Sequence, residues 1–107
     1  MAEETTEKTP APKKATRKPD PITQLLNEVR TELKQVGEWK TTDTRRRQHD
    51  TRAAAWGREY AKTGELDALL LSLTFEALAC YPQEQRYSLV QLAAAALSAA
   101  EKLEAGK

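Results

Sequence analysis

The stretch LDALLLSLTFEALACYP, residues 66–82, decides the fold. Leu66, Leu69, Leu70, Leu73 and Ala77 recur at helical spacing and form one apolar stripe. Leu71, Phe75 and Leu78 form a second. A helix apolar nearly all round must be covered on more than one side, so it is the central helix of a bundle. Pro82 cannot continue that helix, because it lacks the N–H and clashes with the preceding turn. The spacing predicts a helix over 66–80 and a new one from residue 83.

The other elements follow outward from this centre. Over about 83–105, Leu89, Ala93, Ala96, Ala100 and Leu103 form a stripe at spacings of three and four, widened by Val90, Ala94 and Leu97. Alanines at such positions let helix backbones approach closely. A short turn between the two segments predicts an antiparallel hairpin. Upstream, about 43–63 reads as helix, capped by Thr42 or Asp43 and ended by Gly64. His49, Ala53, Trp56 and Tyr60 share one face, and Gly57 marks a kink or a close helix contact. Asp20-Pro21 is an N-cap with proline at the first helical position. Ile22, Leu25, Leu26, Val29, Leu33 and Val36 then give a stripe over about 21–36, with Gly37 as the stop. No segment alternates with period two. The expected fold is all-α, a small four-helix bundle over 20–107.

Residues 1–19 contain no Leu, Ile, Val or aromatic residue. Such a segment buries too little apolar surface to offset its ordering entropy, so a disordered basic tail is expected there. The remaining 88 residues are few for an isolated core, and association is a common remedy. A homo-oligomer, most simply a dimer, or a protein partner is therefore expected.

The net charge of +1 excludes a uniformly basic nucleic-acid binder. Its distribution is uneven. Residues 40–62 carry seven basic and three acidic groups, while 63–107 carry three and six. The basic candidates for phosphate or nucleic-acid contact are Lys13, Lys14, Arg17 and Lys18 in the tail and Arg45, Arg46, Arg47 and Arg52 in the second helix. No aromatic is interleaved in the tail for base stacking. Consecutive arginines fan around a helix, so a solvated face is the plainer reading of the cluster. Candidate core or interface residues are Trp56, Tyr60, Leu69, Leu73, Phe75, Leu89 and Leu97.

Cys80 is the only cysteine and His49 the only histidine. No disulfide is possible within the chain, which fits a reducing compartment, and metal-ligand spacing is absent. No apolar run has the length of a membrane span and no leader pattern opens the chain. The expectation is a cytoplasmic protein with no membrane association and no cofactor. The Ala- and Arg-rich composition suits a high-GC genome, an actinobacterium or its phage.

Four stretches carry a family resemblance. They are Gln48 to Glu59 with Trp56-Gly57, then Phe75 to Ala79, then Pro82 with Arg86, and finally Leu89 to Ala94. Over about residues 45–103 the chain resembles small actinobacterial MazG-like proteins, relatives of the all-α nucleotide pyrophosphohydrolases. The resemblance implies a helical, dimeric bundle. It also implies a magnesium site of two adjacent acids and a third three residues on, completed by two acids on the next helix. Magnesium is a hard cation, and several carboxylates must converge to hold it. Here the adjacent acids fall on Ser72 and Leu73, the next helix offers Ser88 and Gln91, and Glu76 alone is acidic. One carboxylate in five cannot build that site, so no catalytic and no metal residue is assigned. The expected function is a non-catalytic, degenerate MazG-like interaction module. Two alternatives stand beside it. One is a divergent magnesium-dependent pyrophosphohydrolase with Glu28, Glu32, Glu59 and Glu76 as substitute ligands. The other is a nucleic-acid-associated accessory protein.

Overall fold

A computed structural model describes residues 20–106. The expectation for residues 1–19, with Lys13, Lys14, Arg17 and Lys18, lies outside the described residues. The fold is an all-α four-helix bundle: α1 (Pro21–Leu33), α2 (Arg46–Thr63), α3 (Leu66–Ala79) and α4 (Pro82–Ala105). No described helix is long and apolar enough to cross a membrane.

The helices pack in the order α2, α3, α4, α1. α3 lies between α2 and α4, and α1 touches α4 alone. The bundle is therefore open, because α1 and α2 do not meet. α3 takes the central place that its two apolar stripes demand. Its buried residues are alanines: Ala68 and Ala77 are each 1% exposed. No large side chain among the described residues is fully buried. Leu69, Leu70, Leu71, Leu73 and Phe75 are only partly covered.

Each helix end has a local cause. Asp20 caps α1, its carboxylate oxygen accepting from the Thr23 N–H at 2.7 Å. α1 then stops at Leu33, short of the predicted residue 36. Its bonds shorten to three-residue spacing (Lys34 N–H to Thr31 O, Gln35 N–H to Glu32 O, Val36 N–H to Leu33 O), and Gly37 follows at φ 74°. Such tightening is a common way for a helix to finish. α2 begins at Arg46 rather than about residue 43, and neither Thr42 nor Asp43 caps it. Arg45 occupies the cap position and no side chain bonds there. At its far end Gly64 adopts φ 68° and bonds the Tyr60 carbonyl. Gly57 marks neither a kink nor a close contact. α2 runs unbroken through it, and an added Cβ would meet nothing within 4 Å.

α1 is held only at its start. Ile22 and Leu25 are half-buried, and Pro21 and Gln24 share a groove with Glu101 and Ala105 of α4. Leu26, Val29, Leu33 and Val36, the rest of the stripe, are exposed.

Two predictions follow from these ends. Gly57→Ala gains helix propensity in open space and should raise stability by up to about 1 kcal/mol. Gly64→Ala forces a side chain into left-handed backbone and should cost about 1 kcal/mol. Urea midpoints of the two variants should move in opposite directions.

The Thr23 backbone and side-chain bonds hold the Asp20 carboxyl below the ordinary carboxylate range. Its contribution to α1 is present in full above that range and fades as pH falls through the lowered value. The protection of the Thr23 amide, its exchange rate taken relative to the intrinsic rate at the same pH, should therefore fall with acidification in the native chain. Protection should be low at every pH in Asp20→Ala and nearly independent of pH in Asp20→Asn.

Candidate functional site

The polar side chains that the fold organises gather where α3 ends. The last four carbonyls of any helix lack partners within it. Cys80 turns extended (ψ 149°) and Tyr81 follows it extended into Pro82, as a residue before proline must. The orphaned carbonyls are met from both flanking helices. Arg46, the first residue of α2, donates its Nε–H to the Cys80 carbonyl at 3.3 Å. Its guanidinium also lies 4.4 Å above the Tyr81 ring. Gln85 of α4 donates Nε2–H to the Ala77 carbonyl at 3.0 Å. A cation at a helix C-terminus is also favoured by the helix dipole. Arg46 and Gln85 thus bind three helices together at one point.

The same region holds the positions that the resemblance assigns to magnesium. Ser88 is 5% exposed, and its hydroxyl lies 3.2 Å from the Cys80 thiol. The Ser72 hydroxyl donates to the Leu69 carbonyl within α3. Ser72 and Ser88 are bonded inside the chain, Leu73 and Gln91 are partly covered and Glu76 faces solvent, so the five do not form a carboxylate cluster. Glu28 and Glu32 sit on α1, which touches neither α2 nor α3. They cannot meet Glu59 of α2 or Glu76 of α3. Glu59, Glu65 and Asp67 line one groove beside Trp56, and Asp67 accepts from the Ala68 N–H. Among the described residues no three His, Cys, Asp or Glu side chains are placed to hold a metal ion.

The arginines also separate. Arg45 is exposed at the cap of α2. Arg46 is committed to the end of α3. Arg47 lines a hollow of about 550 Å³ with Asp43 and Asp50, so its charge is offset locally. Arg52 lies 5.8 Å above the Phe75 ring. The described cluster is divided between internal packing and a mixed-charge surface. His49 stacks on Phe75, centroids 5.7 Å apart at 24°, with its Nδ1 buried and without a partner among the described residues. Cys80 spends its polar contact on Ser88, so the two do not form a hydrogen-bonded nucleophile–base pair.

Trp56 is half-buried between α2 and the start of α3, and Tyr60 lines a groove with Leu66, Leu69, Ala95 and Ala99. Leu97 is partly covered and Leu89 is exposed. Sequence reasoning missed the role of Arg46 because a bond to a carbonyl 34 residues away leaves no periodic trace. The one available signal was an arginine opening a helix whose neighbour ends in an aromatic residue before proline. No family model, curated protein or solved structure matches this chain.

Arg46→Ala should lower stability by about 1–2 kcal/mol, from the lost stacking and the unsatisfied carbonyl. Ser88→Asp buries an unpaired charge, which should cost several kcal/mol at neutral pH. Part of that loss should return on acidification, because burial raises the pKa of a carboxyl. Thermal melts at pH 7 and pH 5 check both variants.

Proposed function

We propose that the chain is a non-catalytic helical interaction module, a degenerate MazG-like bundle that binds a protein partner or a second copy of itself. The observation that carries this reading is the imbalance between covered and uncovered apolar surface. The described residues bury two alanines and a serine fully, yet they expose Leu26, Val29, Leu33, Leu89, Val90 and Leu103 along helix faces. Surface of that kind in continuous stripes is the mark of an interaction site. The packed state of Ser72, Leu73 and Ser88 supports the non-catalytic half of the reading. The placement of Arg46 and Arg52 against aromatic rings weighs against a nucleic-acid face on α2.

Incubation with a panel of NTPs and dNTPs in Mg²⁺ or Mn²⁺ tests the reading by pyrophosphate release. A sample shown by circular dichroism to be helical should give no turnover above the buffer rate. Turnover that disappears in Glu76→Gln would overturn it and would place this chain among the hydrolases.

A further inference from the structure

A groove of about 390 Å³ runs between the last turns of α2 and the start of α3, lined by Ala55, Trp56, Glu59, Glu65 and Asp67. Three of these residues are carboxylates, and no lysine or arginine lines the groove. Glu59 is partly covered, and neither it nor Glu65 has an ion-pair partner among the described residues. Glu65 holds the cap position of α3, yet its side chain makes no capping bond. Asp67 accepts from the Ala68 N–H. A partly covered carboxylate without a counter-charge is costly, so the groove favours a cationic occupant. The three acids are not placed to share a metal ion, and separated organic cations suit them better. Trp56 brings an indole to the same groove, and such a ring attracts ammonium and guanidinium groups.

The chain carries cations of this kind. Residues 8–18, which precede the described residues, contain Lys8, Lys13, Lys14, Arg17 and Lys18 and no acid. This segment joins the described fold at Asp20. There Pro21 borders the last turn of α4, in a groove that Lys102 also lines. Lys102 in turn lines a groove with Tyr60, Gly64 and Leu66, which are the sequence neighbours of Glu59, Glu65 and Asp67. The entry point and the acidic groove therefore lie at the same end of the bundle. Packed helices are about 8–10 Å apart, so the way from α4 past α3 to α2 is about 20 Å. Lys13 and Lys14 stand seven and six residues ahead of Asp20, and extended chain of that length spans about 20–25 Å.

We infer that residues 13–18 lie across this groove of their own chain, with Lys13, Lys14, Arg17 and Lys18 beside the three carboxylates and Trp56. Attachment through a few residues gives a local concentration of about a millimolar, so weak charge contacts suffice. The contact asks for no apolar burial, which a segment without Leu, Ile, Val or an aromatic residue could not supply. It also withdraws these cations from any polyanion, which must compete with the groove to reach them.

Paramagnetic broadening on the full chain tests the placement. A nitroxide is attached at residue 15 through Ala15→Cys, with Cys80→Ser removing the other thiol. In about 20 mM salt, where screening is weak, the Trp56 indole N–H and the Glu59 and Glu65 amides should lose intensity roughly twofold or more against the reduced label. The Gln85 amide, at the other end of α3, should keep its intensity. In about 0.5 M salt the groove signals should recover, because exposed charges are then screened within a few ångströms. The double variant Glu59→Lys/Glu65→Lys should lose the broadening at low salt as well. If Cys80→Ser unsettles the fold, the test passes to the chain with its native thiol. There the Trp56 indole N–H should shift at low salt between the native tail and the variant Lys13→Gln/Lys14→Gln/Arg17→Gln/Lys18→Gln.

Groove signals that ignore the label at low salt, or an indole shift that ignores the tail variant, overturn the inference. Broadening that survives Glu59→Lys/Glu65→Lys puts the tail elsewhere on the bundle. Broadening that passes to an untagged, isotope-labelled chain in an equal mixture puts it on a second copy, and overturns the placement within one chain.

Discussion

The structure depends on the need to cover α3. Its apolar residues occupy nearly the whole circumference, and water penalises each uncovered methylene by about 0.8 kcal/mol. Two neighbours are therefore required. α2 and α4 supply them through connections of two residues each, so both neighbours are local in sequence and lie beside α3 at little loop-closure cost. The residues of α3 that its neighbours bury are Ala68 and Ala77. Small residues at the crossings bring backbones near, but they leave little apolar volume between them. The result is a three-helix layer with a thin seam rather than a deep core.

The polar interactions at the end of α3 fix how that layer is assembled. A helix that stops abruptly before a proline leaves carbonyls that must find donors. Arg46 and Gln85 come from the two helices that α3 already touches. Neither bond depends on a ligand. Ser88 and Cys80 satisfy one another in the same neighbourhood. The positions at which the sequence resemblance would call for acids are here Ser72, Leu73, Ser88 and Gln91, none of them charged. Structure and chemistry agree at this point: residues used for packing are not available for binding a cation.

Much of the fold was legible in the sequence, and the limits have physical causes. The stripes of α3 and α4, Pro82 and Gly64 located the hairpin, because apolar period and backbone restriction are local properties. The start of α2 was not legible. Thr42 and Asp43 are good capping residues by type, but the connector after Gly37 does not bring them to the helix. A capping oxygen acts only where geometry delivers it. The end of α1 erred for a related reason. Val36 continues the apolar period, yet no neighbouring helix covers it, so nothing holds the last turn in α geometry. The candidate site was least legible. Arg45, Arg46, Arg47 and Arg52 read as one cluster, but contacts far apart in sequence gave Arg46 and Arg52 separate aromatic partners.

A thin seam and a bare apolar face on α4 have one consequence in common: folding should be coupled to association. The most direct measurement is the thermal midpoint of the native chain over a hundredfold range of protein concentration. Binding that favours the folded state raises that midpoint by mass action. The account predicts a Tm that climbs steadily with concentration. A midpoint that does not move would show that the single chain is stable by itself, and would contradict it.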